Sequence, residues 1–120
     1  AGKVSSYYTL LQPYKGSGFY VGANVVGEAV ADMGGLKAML TLASKYPDFD
    51  YDKFFRHYAN LWAAQISPEQ EEYYFKDDSH PLNFYRINVG VQQFDKFYET
   101  YNLQPEDKMY LEEDKRIAVW

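Results

Sequence analysis

The sequence predicts a mainly α chain with little or no sheet. Three observations carry this. Apolar residues recur at spacings of three and four through the middle of the chain. Asp, Ser and Pro stand where helices would begin and end. Most of the thirteen Tyr and eight Phe fall at helical spacing, which reads as core or interface rather than a stacking surface for ligands. With 120 residues the chain is one domain or part of a larger one.

Residues 1–14 hold Val4, Tyr7, Tyr8, Leu10 and Leu11 and predict a short helix ending before Pro13. Lys15-Gly16-Ser17-Gly18 reads as a flexible connection, and Phe19-Tyr20-Val21 as a short extended piece. Residues 1–20 are thus a lead-in helix and loop, and 21–120 a helical region. A long helix is expected from Asn24, as N-cap, to about Tyr46. Its stripe is Val26, Val30, Met33, Leu36, Leu40 and Ala43, and Pro47 stops it. Gly34 and Gly35 inside it each cost about 1 kcal/mol against Ala, so something should require a missing side chain there. Asp50 caps a second long helix, Tyr51 to about Ile66, with a clear aromatic stripe. Ser67-Pro68-Glu69-Gln70 opens another: a Ser cap, Pro at the first position, then acids at the positive end of the dipole. After a break at Asp77-Asp78-Ser79-His80-Pro81, helices are expected over Leu82 to about Gln92 and Phe94 to Tyr101. Pro105-Glu106-Asp107 is a turn, and the end, Ile117-Ala118-Val119-Trp120, is apolar.

Composition narrows the function. Apolar residues make up 47% and aromatics 19%, enough for a core. A net charge of −5 argues against a general nucleic-acid or anionic-membrane binder. No cysteine means no disulfide framework and no thiol chemistry. No apolar run approaches the roughly 20 residues that span a bilayer. The start has neither a signal core nor an initiator Met, which suggests a chain beginning inside a longer product.

Glu28 and Asp32, four apart, lie one above the other on a helix face. Such a pair is either two solvated acids near a helix start or a pair facing a cation, with Gly35 leaving a bare patch on the same side. His80 before Pro81, and Arg86 six residues later, are by themselves a loop residue and a surface charge. His57, near Lys53, reads as a solvated surface residue.

Together these strings resemble the neprilysin-like and endothelin-converting-enzyme-like zinc metalloendopeptidases, of gluzincin type. That family carries Gly-Glu-Asn-(Ile/Leu)-Ala-Asp-x-Gly-Gly-(Leu/Val), then a His with an Arg six residues on, and ends in Val-Trp or a close variant. Here the strings are Gly27-Glu28-Ala29-Val30-Ala31-Asp32-Met33-Gly34-Gly35-Leu36, then His80 to Arg86, then Val119-Trp120. The resemblance runs from about Val21 to Trp120. It implies the helical C-terminal subdomain of a thermolysin-like zincin catalytic domain. It makes Glu28 the third zinc ligand and Asp32 the carboxylate that orients a ligating imidazole. It gives His80 the oxyanion and Arg86 a carbonyl of the peptide substrate. The chemistry suits these types: a catalytic zinc takes two imidazoles and a carboxylate and keeps a place for water, and a ligating His needs an acceptor for its other N–H. Glycines 34 and 35 would let two helices pack.

Ala29 replaces the family's Asn. The animal members' cysteines are missing around Leu61-Trp62-Ala63 and Lys115 to Ala118, which points to a bacterial-type member, in the cytoplasm or else exported or at the cell surface. The chain has no His-Glu-x-x-His; in the family that motif lies upstream. The resemblance therefore implies a chain inactive alone, not retaining Zn2+, whose partner is the upstream part of the same polypeptide and whose exposed face self-associates. The competing reading is a non-catalytic helical protein-interaction module.

Overall fold

The computed structural model describes residues 2–10, 22–63, 67–77 and 81–117, apart from the side chains of Tyr74 and Asp77. The predicted loop and extended piece before Gly22, His80 and the Val119-Trp120 ending lie outside the described residues.

The described residues form six α-helices and no strand: α1 (Gly2–Thr9), α2 (Gly22–Ala43), α3 (Tyr51–Trp62), α4 (Pro68–Asp77), α5 (Asn83–Val91) and α6 (Asp95–Tyr101), followed by a 3-10 turn at Glu113–Lys115. The mainly α expectation holds. Local signals set several boundaries. Asp50 Oδ1 accepts from Lys53 N at 3.0 Å and starts α3. Ser67 and Gln70 form a reciprocal capping box at α4, at 3.2 and 3.0 Å. Asn102, with φ 48°, ends α6 in the left-handed conformation. Asp107 Oδ2 accepts from Gln104 N at 2.8 Å and closes the predicted turn.

α2 departs from expectation at both ends and in phase. It begins at Gly22, so Asn24 is an exposed helical residue rather than the N-cap. The cap comes from α1: Gly22 N–H donates to Thr9 Oγ1 at 3.1 Å. The two helices cross so closely that a Cβ at Gly22 would lie 1.9 Å from the Ser5 carbonyl oxygen, so only glycine fits. The helix ends at Ala43, three residues before Tyr46, and turns lead to Pro47. Its inward stripe is Val25, Ala29, Met33, Leu36, Leu40 and Ala43. Val26 and Val30 only flank the core. The α3 helix likewise ends at Trp62, with Ala63 as its C-cap.

The core has two parts, both built on α2. One gathers Val4, Tyr8, Val25, Ala29, Met33, Leu82, Val89 and Ile117; the other gathers Leu36, Leu40, Phe55, Val91, Phe97 and Tyr98. A strap, residues 103–117, closes over α5 and α6. Gln92 Nε2 donates to the Met109 carbonyl at 2.9 Å, and the Tyr98 hydroxyl accepts from Leu111 N at 3.3 Å. Buried Gln93 donates to the Val89 carbonyl and accepts from Ile117 N, both at 2.7 Å. Arg116 stacks on Tyr98 at 3.6 Å. The Arg116 carbonyl accepts from Lys3 Nζ at 2.7 Å, tying the strap to α1.

Opposite the core, α2 leaves Gly27, Ala31, Gly35, Ala38, Met39 and Leu42 exposed. The helix is therefore apolar on both sides, the pattern of one that normally packs on both.

Candidate active site

Glu28 and Asp32 are half-buried on α2, between its buried stripe and its exposed one. Ala29, the departure from the family string, points into the core at 1% exposure. Across from them, α5 carries Arg86. Its guanidinium grips the Asp32 carboxylate in a fork: Nε donates to Oδ2 and Nη2 to Oδ1, both at 2.7 Å. The side chains are 12% and 15% exposed, so the pair sits below the surface. Asp32 raises the Arg86 pKa, chiefly through these bonds; burial opposes the rise, and the Glu28 charge adds to it.

Helix α3 completes the cluster. The Tyr58 hydroxyl donates to the Arg86 carbonyl at 3.2 Å. One turn on, the Trp62 ring lies under the guanidinium, 3.8 Å from its carbon to the ring centroid. Burial, then the charge of Asp32, pushes the Tyr58 hydroxyl up to about 12, against an opposing effect of Arg86. Beside this cluster a groove of about 520 Å³ runs between α2 and α3, lined by Ala31, Asp32, Gly35 and Met39 on one wall and Phe54, His57, Leu61 and Trp62 on the other. His57 is exposed, as expected, but it stands on the lip of this groove. A Cβ on Gly35 would meet nothing within 4 Å.

The structure thus brings three of the four sequence-predicted site residues, Glu28, Asp32 and Arg86, to one region, while His80 lies outside the described residues. Tyr58 and Trp62 were missed, because on α3 they look like ordinary members of an aromatic stripe. A carboxylate in one family string and a planar guanidinium in another were the available signal for the ion pair, but 54 positions separate them. Among the described residues no three His, Asp or Glu side chains gather into a metal-binding cluster. Glu28 can supply one ligand to a metal, with Asp32 beside it engaged by a guanidinium. That donor set fits one wall of a zinc site and not a whole one.

Comparison with known proteins bears on what this wall belongs to. The model of Peptidase family M13 matches residues 3–117. The chain is 33% identical over 99 residues to the neutral endopeptidase of Lactococcus lactis subsp. lactis, covering 82% of this chain and 16% of that protein. It is 35% identical over 99 residues to the neutral endopeptidase of Lactobacillus helveticus, covering 82% and 15%. To human neprilysin it is 27% identical over 112 residues, covering 82% and 15%. No solved structure matches. The chain spans about a sixth of the length of the curated relatives it matches. It belongs to Peptidase family M13, the neprilysin-like peptidases, and corresponds to a segment of its members.

Proposed function

We propose that this chain is the C-terminal portion of a zinc-dependent metalloendopeptidase that hydrolyses oligopeptides, and that it forms one wall of the active site. The observation that supports this most is the convergence of Glu28, Asp32 and Arg86, carried on the family string, beside an open apolar groove.

Zinc, when bound by the complete site, supplies a Lewis acid for the peptide carbonyl and an activated water. Glu28 would help to hold that ion through its carboxylate. Asp32 orients a ligating imidazole from the other wall: each carboxylate oxygen has a second lone pair, so it can accept an N–H while holding Arg86. Arg86 offers its remaining N–H groups to a substrate carbonyl, and His80 a donor to the oxyanion. The exposed α2 stripe, with its bare patch at Gly35, receives the helix bearing the remaining ligands. The whole protein cleaves peptides, and this chain alone does not.

The test is direct. The purified 120-residue chain, given stoichiometric zinc and a mixed oligopeptide pool, is expected to release no new amino termini. Cleavage that tracks the purified chain and disappears with a chelator would overturn the assignment of half the site to other residues. No transmembrane-length apolar helix occurs among the described residues.

A further inference from the structure

Arg86 is held from more directions than an ion pair needs. Asp32 fixes two of its N–H groups at 2.7 Å. That fork sets the guanidinium's rotation within its own plane. It leaves the plane free to tilt about the line joining the two hydrogen bonds. The Trp62 ring, 3.8 Å from the guanidinium carbon, removes this freedom. Tyr58, one helical turn before Trp62, binds the Arg86 main-chain carbonyl at 3.2 Å. The same face of α3 therefore holds both the backbone and the plane of Arg86.

The indole presents its face to Arg86. Trp62 Nε1 is buried and makes no hydrogen bond of ordinary geometry among the described residues, although it acts weakly on the Tyr58 hydroxyl. A buried Trp normally satisfies that N–H, and an aliphatic side chain would fill the place without bringing a donor at all. What an aliphatic residue lacks is an electron-rich face for a cation.

We propose that Trp62 is a positioning residue for Arg86: stacked on one face of the guanidinium, with Asp32 on one edge, it fixes the direction of Nη1 and the second Nη2 proton, for which no acceptor is found among the described residues. Three constraints on one side chain leave a pre-aimed double donor. The ligand such a donor suits is a carbonyl or carboxylate oxygen. Its use on a peptide carbonyl rests on the function proposed above; the clamp itself does not.

Side-chain NMR of Arg86 in the 120-residue chain tests the clamp without any activity measurement. In the wild type, the Nη protons should be resolved from one another and shifted upfield by the indole ring. Trp62→Leu should remove the ring shift and raise the Nε–H exchange rate about tenfold, the equivalent of a lost cation–π contact. Trp62→Phe, which keeps a face and removes the indole N–H, should restore protection to within about threefold of wild type. Averaged, unshifted Arg86 resonances in the wild type would overturn the proposal whether or not the variants fold. So would unchanged protection in Trp62→Leu, or failure of Trp62→Phe to restore it. Absence of peptide cleavage by the wild-type longer polypeptide, with the Arg86 signature intact, would instead count against the peptidase role.

Discussion

Removing the Arg86 guanidinium tests whether the Asp32 contact organises this end of the molecule. Arg86→Met deletes two charge-assisted hydrogen bonds of 2.7 Å and a stacking contact at 3.8 Å, and leaves a 15% exposed carboxylate without that cation. Breaking a fully buried pair costs about 3–5 kcal/mol, and an exposed pair is worth about 1 kcal/mol or less. With both side chains at or below 15% exposure, the cost should lie near the lower end of the buried range, about 3 kcal/mol. Asp32→Asn keeps an acceptor but loses the charge, so about 2 kcal/mol is expected. The double variant should be no worse than Arg86→Met, giving a coupling energy of about 2 kcal/mol. Urea unfolding of the wild type, both single variants and the double variant measures all four corners. Thermal midpoints should fall by about 4 °C per kcal/mol in a chain of this size. A coupling below about 0.5 kcal/mol would show the two residues to be independent and refute the argument.

Other outcomes follow from the same structure. Gly35→Ala should stabilise the isolated chain by about 0.5–1 kcal/mol, since the added Cβ meets nothing and Ala favours the helix; in the longer polypeptide it should impair activity if a helix docks there. Destabilisation of the isolated chain would mean that this face is already covered. The exposed stripe with Met39 at 53% and Leu42 at 50% exposure should make the chain self-associate, and Met39→Glu with Leu42→Glu should abolish this; light scattering showing a strict monomer at high concentration contradicts it. The Tyr58 hydroxyl rises from 10.0 to about 12 on folding, so its contribution is fully present below pH 10 and is lost as pH climbs from 10 towards about 12. Denaturation across that window should show stability falling with pH, less steeply in Tyr58→Phe; an equal slope removes Tyr58 as the cause.

How far the sequence revealed this depended on whether the cause was local. The Asp50 cap, the Ser67–Gln70 capping box and the turn at Asp107 are made within three or four residues, and each reads directly from residue type. The phase of α2 was harder: a helix apolar on both sides has almost no periodicity, so Val26 and Val30 competed with Val25 and Ala29 for the core, and the core chose the latter. Its start was set by Thr9, thirteen residues away on another helix, in place of Asn24. Glu28, Asp32 and Arg86 were marked by the family string, but the fork between the last two is tertiary. Trp62 and Tyr58 were hidden in a stripe whose spacing reports only burial. Gln93 was equally silent, because a buried amide linking α5 to the strap has no sequence signature.

The central claim is that Glu28 is a metal ligand on one wall of a peptidase site. Zinc content and peptide turnover of the longer polypeptide carrying Glu28→Gln, beside the wild type, test it most directly. The account predicts loss of stoichiometric zinc and, with it, loss of peptide turnover, as expected when a ligand that holds the catalytic ion is removed. A Glu28→Gln protein that retains one zinc per chain and near wild-type kcat/KM would contradict it.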